Sequence, residues 1–156
     1  MARTGRHCHA LTDTCIYTFV DQVDLSECGA CACFALRRAA RAITRLYDRQ
    51  LRPTGLRATQ FTLLAVLKNA GPQPLQVLAD RLGVERTTLT RNLQPLLARH
   101  LVSEDAGADR RVRRLSVTPA GVQKAAAALP HWRKAQRQIE KQIAPAALKS
   151  LRALSL

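Results

Sequence analysis

LQVLADRLGVERTTLTRNLQPLLARH, from Leu75 to His100, decides the fold, and it runs directly into LVSEDAGADRRVRRLSVT, Leu101 to Thr118. Leu75–Leu82 places apolar residues at helical spacing and turns at Gly83-Val84, and a longer helical segment follows from Glu85 toward His100. Two helices that cross steeply need a small residue at the crossing, which Ala79 supplies. They also need a residue tolerant of positive φ in the turn, which Gly83 supplies. Leu78, Leu82, Leu89, Leu93 and Leu96 then face one another across the junction. Pro95 removes the hydrogen bond to the Arg91 carbonyl and clashes with it, so a kink is expected there. The helix should not end at it, because the apolar spacing continues through Leu96 and Leu97. Two β-like runs follow, Leu101–Glu104 and Val112–Val117, joined by the polar hairpin Asp105–Arg111. Helix, tight turn, helix and arginine-tipped hairpin is the order of a winged helix-turn-helix.

The outer face of the second helix carries Arg86, Thr87, Thr88, Thr90, Arg91 and Gln94. Short hydroxyls and cations on one face suit a helix seated in a DNA major groove, where they meet phosphates and base edges. A helical hairpin with a solvated face would look the same in isolation, but it explains neither the following hairpin nor the charge. Lys and Arg number 25 against 11 Asp and Glu, a net charge of +14 in 156 residues. Most of the cations are arginine, the side chain that contacts phosphate and guanine bidentately, so a polyanionic partner is implied, nucleic acid first. A membrane surface fits less well, since no segment joins a large aromatic-bearing apolar face to a purely basic one.

At 156 residues and 47% apolar content the chain suits one packed domain. No apolar run reaches membrane-spanning length, and Ile16–Val20 is too short for a signal peptide. A cytoplasmic location is therefore expected, with the five cysteines held as thiols.

Residues 1–25 lack any sustained period and read as a weakly ordered N-terminal arm. A helix is expected from Cys28 to Leu51, with Cys33, Leu36, Ala40, Ile43 and Tyr47 on one stripe. Arg38, Arg41, Arg45, Arg49 and Arg52 form a second stripe, and Pro53-Thr54-Gly55 ends the helix. Thr59–Asn69 is a compact apolar helix stopped by Gly71-Pro72. Thr118-Pro119 restarts a helix as N-cap and first residue, with a bend expected at Pro130 and an interruption at Pro145. Trp132, Ala135, Ile139 and Ile143, then Leu148, Leu151 and Leu154, continue apolar faces that a small reading unit does not cover. A homodimer built from both chain ends is expected, with intramolecular packing of one end on the other as the alternative.

From Cys28 onward the chain resembles the MarR family of bacterial transcription regulators. The likeness rests on Leu56-Arg-Ala-Thr-Gln-Phe61, on Thr87-Thr-Leu-Thr-Arg91, on Asp109-Arg-Arg111 and on Leu115-Ser-Val-Thr118-Pro-Ala-Gly121. It implies a mainly α fold with a small β-hairpin wing, a winged helix-turn-helix over residues 56–118, and dimerisation helices over 28–52 and 119–156, all within one domain spanning 26–156. It also implies a homodimer that reads a pseudo-palindromic operator in double-stranded DNA and is released by a small-molecule or oxidant effector acting from the crevice between the dimerisation and DNA-binding parts. By the resemblance, Arg111 is the wing-tip arginine that enters the minor groove and Asp109 the acid that braces it. Arg110 lies between them, and Thr87, Thr88 and Arg91 fall on recognition positions. Arg113 and Arg114 alternate along a strand and are weaker candidates.

Cys28, Cys31 and Cys33 cluster near the start of the first long helix, with Cys8 and Cys15 in the arm. Three roles compete for them: small apolar packing groups, a redox sensor, or a thiolate site for a soft ion. Cys33 falls where the organic-peroxide-sensing branch of the family keeps its reactive cysteine, and Tyr47 where that branch has one tyrosine. Its other tyrosine positions are Arg37 and Ala58 here, which departs from that branch's pattern. Cys28-Gly-Ala-Cys31 lacks the second pair of a zinc ribbon, so no metal ligand set and no cofactor are assigned. The histidines His7, His9, His100 and His131 are scattered, with no nucleophile–base–acid grouping, and an enzyme is not expected. A transcription repressor is the reading reached. A non-specific nucleic-acid-binding protein and a thiol-based metal-binding protein are its rivals.

Overall fold

The computed structural model describes residues 24–106 and 113–154. Its elements are helices α1 (Ala32–Leu51), α2 (Ala58–Ala70), α3 (Leu75–Leu82), α4 (Arg86–Ala98), α5 (Pro119–Glu140) and α6 (Pro145–Arg152), with strands β1 (Gln73–Pro74), β2 (Val102–Ala106) and β3 (Arg113–Val117). The chain divides into two units, with the boundary between Ala39 and Ala40 inside α1.

In the first unit the helix begins later than its spacing predicts. Ser26–Ala30 forms a 3-10 turn, Cys31 is extended, and α1 starts at Ala32. The local cause is visible: Asp24 Oδ1 accepts the Ser26 N–H at 2.9 Å, and Cys31 N–H bonds back to Cys28 O at 3.1 Å. Gly29 also disfavours a regular helix in this turn. Every described residue from Asp24 to Ala42 is exposed.

The second unit holds the core. Helix α1 ends where Pro53 and Gly55, the latter at φ 67°, turn the chain toward α2. The first N–H of α2, on Ala58, has no intrahelical acceptor, and Asp48 Oδ1 takes it at 2.7 Å. Gln60, buried, returns its Oε1 to the Arg57 N–H at 3.0 Å. Helix α2 buries Phe61, Leu63, Leu64 and Leu67, and is closed at its C-terminus by Gly71 at φ 72°. The core continues through Leu51, Leu78, Ala79, Leu89, Leu93, Leu96, Leu115 and Ala128. Each buried leucine contributes roughly 1.5–3 kcal/mol of transfer free energy. Trp132 stacks on Phe61 with ring centroids 6.1 Å apart, and Tyr47 lies tilted against it at 6.4 Å.

The predicted helix pair is present. Gly83 adopts the left-handed conformation at φ 61° and the Val84 N–H reaches back to Ala79 O at 3.1 Å. Helix α4 runs through Pro95 to Ala98. It ends in a left-handed cap at His100, φ 52°, whose N–H bonds to Leu97 O while Leu101 N–H bonds to Leu96 O, both at 2.9 Å. No glycine marks this helix end in the sequence, so the left-handed cap at His100 is not legible there.

Strands β2 and β3 pair antiparallel, Val102 with Val117 and Glu104 with Leu115. A third strand, β1, adds Gln73 and Pro74 to the other side of β3, giving the order β1-β3-β2. The mainly helical, small-sheet architecture is that of a winged helix-turn-helix. Thr118 caps α5 as expected: its hydroxyl oxygen accepts the Gly121 N–H at 3.0 Å, and its O–H donates to His100 O at 2.8 Å. Helix α5 is continuous across Pro130, and Pro145 opens α6 as its first residue.

Candidate nucleic-acid interface

Helix α4 is held by one face and free on the other. Leu89, Leu93 and Leu96 are buried, while Arg86, Thr87, Thr88, Thr90 and Arg91 are all exposed. Helical geometry dictates that split, because residues three and four apart share a face. Thr90 donates its hydroxyl to Arg86 O at 2.9 Å, leaving the oxygen lone pairs outward. The guanidinium groups of Arg86 and Arg91 have no carboxylate within 4 Å among the described residues, where Arg113–Glu104 is the one ion pair. The five recognition candidates therefore sit together on one exposed helix surface, available to an external acceptor.

Both strand arginines of the wing are engaged internally. Arg113 Nη1 meets Glu104 Oε2 at 3.3 Å, and Arg114 Nη2 donates to Pro72 O at 2.9 Å. Asp109, Arg110 and Arg111 lie outside the described residues.

Between α2 and the reading helices lies a small cavity of about 230 Å³, lined in part by Thr44, Thr59, Thr62, Leu82, Val84 and Asn92. Sequence reasoning named no residue for it, since its walls come from four separate segments. A second, larger cleft at the end of α1 collects arginines and was likewise not foreseen.

Cys28, Cys31 and Cys33 are exposed free thiols. They are not gathered into a metal-binding group among the described residues. Tyr47 is half-buried in the second unit, and its hydroxyl donates to Gln136 Oε1, while Gln136 Nε2 donates to Glu140 Oε1 at 2.9 Å. Loss of hydration, and then the nearby Glu140 carboxylate, push the Tyr47 phenol above its ordinary value. No helix among the described residues is long and apolar enough to cross a membrane.

A family model described as MarR family matches residues 54–111. The transcriptional regulator MosR of M. tuberculosis, solved in complex with DNA, is 42% identical. That likeness covers 79% of this chain and 92% of MosR, with a TM-score of 0.72. The HTH-type transcriptional regulator MhqR of Bacillus subtilis is 31% identical over 56% of this chain, a stretch that spans 61% of MhqR's length. A MarR variant from E. coli complexed with operator DNA shares the fold at a TM-score of 0.72 with 20% identity, covering 84% of this chain and 95% of that one.

Proposed function

Because the chain belongs to the MarR family, we propose that it is a sequence-specific DNA-binding transcription regulator, a homodimeric repressor that operates in the cytoplasm. The observation that carries this reading is the exposed face of α4, with Arg86, Thr87, Thr88, Thr90 and Arg91 set outward by a fully buried leucine face behind them. Each subunit would lay the first turns of α4 in a major groove. Arg111, braced by Asp109 and flanked by Arg110, would reach the adjacent minor groove, where negative potential is enhanced. Two-fold symmetry then sets half-site centres about one helical turn apart, roughly 10 bp.

Dimerisation is supported by apolar side chains exposed toward both ends of the described residues. Phe34 is 58% exposed and Leu36 45%, and near the C-terminus Leu151 is 42% and Leu154 55% exposed. A second copy offering the same segments would bury them, and α5 and α6 would share the interface. Release from DNA would come through the 230 Å³ cavity beside α4 or through the thiols Cys28, Cys31 and Cys33. Val84, Leu89 and Asn92 line that cavity, so a ligand bound there would bear on the position of α4. MosR is described with DNA, and at 42% identity it supports the DNA partner for this chain.

The test is a gel-shift competition between an operator selected from random duplex and bulk DNA. A specificity ratio of ~10³ or more is expected. Equal affinity for both would make the protein a non-specific nucleic-acid binder. Stoichiometric metal uptake without DNA affinity would favour a thiol-based metal protein. Repeating the shift with peroxide, with reductant and with Cys33→Ser separates thiol control from ligand control.

A further inference from the structure

Four arginines with no part in the proposed reading surface meet around one cleft. Arg45 and Arg49 stand one turn apart on α1, Arg52 opens the 3-10 turn that follows, and Arg57 lies beyond Gly55. Together with Asp48 and Gly55 they line a cavity of about 670 Å³. All four arginines are exposed, and none has a carboxylate within 4 Å among the described residues. Asp48 is the single acid in the lining, and its Oδ1 already accepts the Ala58 N–H at 2.7 Å. The turn that shapes the cleft is tied down from three sides. Thr54 Oγ1 donates to Leu51 O at 2.7 Å, Leu56 N–H donates to Thr54 Oγ1 at 3.3 Å, and Arg99 Nη1 donates to Gly55 O at 3.0 Å.

An ordinary solvated helix spreads its cations or alternates them with acids, because like charges one turn apart repel. Here they converge on a concave surface with an anchored backbone. Each guanidinium offers a planar fork of donors matched to two oxygens of a tetrahedral anion. Four such forks against one committed carboxylate give the cleft an excess of positive charge and of donors that a polyvalent oxyanion can match.

We propose that the cleft walled by Arg45, Arg49, Arg52 and Arg57 binds a phosphate group, either from the backbone of DNA or from a free phosphorylated ligand. The DNA source rests on the regulator reading above, and the free-ligand source stands without it. The protein, its Arg45→Gln/Arg49→Gln double variant and Arg41→Gln are compared. Arg41 is exposed on the same helix and outside the cleft, so its variant is the charge-matched control for Arg49→Gln and carries half the charge change of the double variant. Calorimetric titration with inorganic pyrophosphate at fixed ionic strength forms one arm, and duplex binding against salt forms the other.

A free-ligand site shows saturable pyrophosphate binding that weakens at least tenfold in the double variant and is retained in Arg41→Gln. A DNA-backbone site shows no pyrophosphate binding, a loss of duplex affinity in the double variant alone, and a log–log salt slope shallower by about 0.9 for each phosphate no longer neutralised. If the double variant matches Arg41→Gln in both arms, the proposal is overturned. Where wild type binds no duplex, the regulator reading fails and the pyrophosphate arm alone decides. The exposed arginines should be replaceable without unfolding, which thermal melting checks, and Arg49→Gln alone gives the same readout if the double variant melts early.

Discussion

Gly121 packs directly on the backbone carbonyl of Leu101, so closely that a Cβ at position 121 would overlap that oxygen and stand 2.8 Å from Val117 Cγ2. The same carbonyl accepts the Thr118 N–H at 3.1 Å, and the Gly121 N–H is capped by Thr118 Oγ1. The root of the wing and the start of α5 are thereby joined backbone to backbone. Any force on α5 is transmitted to the element that precedes the wing.

Gly121→Ala is therefore expected to destabilise the fold by about 2–3 kcal/mol, since rigid backbone on both sides leaves no room to relax. For a chain of this length that lowers the melting temperature by roughly 4–12 °C. An unchanged melting curve would show that α5 can shift away from Leu101 at little cost.

Asp48→Ala should cost about 1–2 kcal/mol, because the Ala58 N–H loses its acceptor at the start of α2. Asp48→Asn is expected to recover much of this, since its amide oxygen accepts the same bond. Chemical denaturation of the pair measures the difference, and equal stabilities for Ala and Asn would remove the cap from the account.

Arg91→Ala tests the reading surface. Its side chain is exposed, so melting should be unaffected while operator affinity falls roughly 10–100-fold. If Arg91 touches phosphate, the log–log salt slope becomes shallower by about one per subunit, and if it touches a base, discrimination at one operator position relaxes. Arg111→Ala should weaken binding similarly without unfolding. Wild-type affinity in either variant would take that residue out of the interface.

The recognition unit was legible because its signals are local. Gly83 needs positive φ, Thr118-Pro119 starts a helix, and Leu78, Leu89, Leu93 and Leu96 survive in the fold as a buried face with Leu82 partly buried against it. What escaped the sequence depends on distant partners. Strand β1 has only two residues, one of them Pro74, and exists because Gln73 finds Leu115 across forty residues of chain. The late start of α1 follows from Asp24 capping Ser26, a bond that no apolar periodicity reports. The arginine stripe was visible, but the cleft it lines requires the turn at 53–55 and its anchoring by Arg99. The commitment of the Tyr47 hydroxyl to Gln136 on α5 likewise joins residues far apart in the sequence.

That commitment gives a pH signature. Burial, and then Glu140, raise the Tyr47 pKa above the ordinary value of 10.0 that the unfolded chain would have. The neutral phenol is thus favoured in the folded state, and its contribution to stability is complete below the unfolded pKa and lost as pH climbs through the folded one. Deprotonation also removes the donor to Gln136 and places a second negative charge near Glu140. Stability measured by denaturant titration at a series of pH values from about 8 upward should fall more steeply above about pH 10 in wild type than in Tyr47→Phe. The comparison cancels the lysines and the remaining tyrosine, which titrate in both proteins. Because Tyr47 is only partly buried, solvent screens the effect and the gap between the curves should be modest. Parallel curves across the whole range would mean that the phenol gains nothing from its place between α1 and α5.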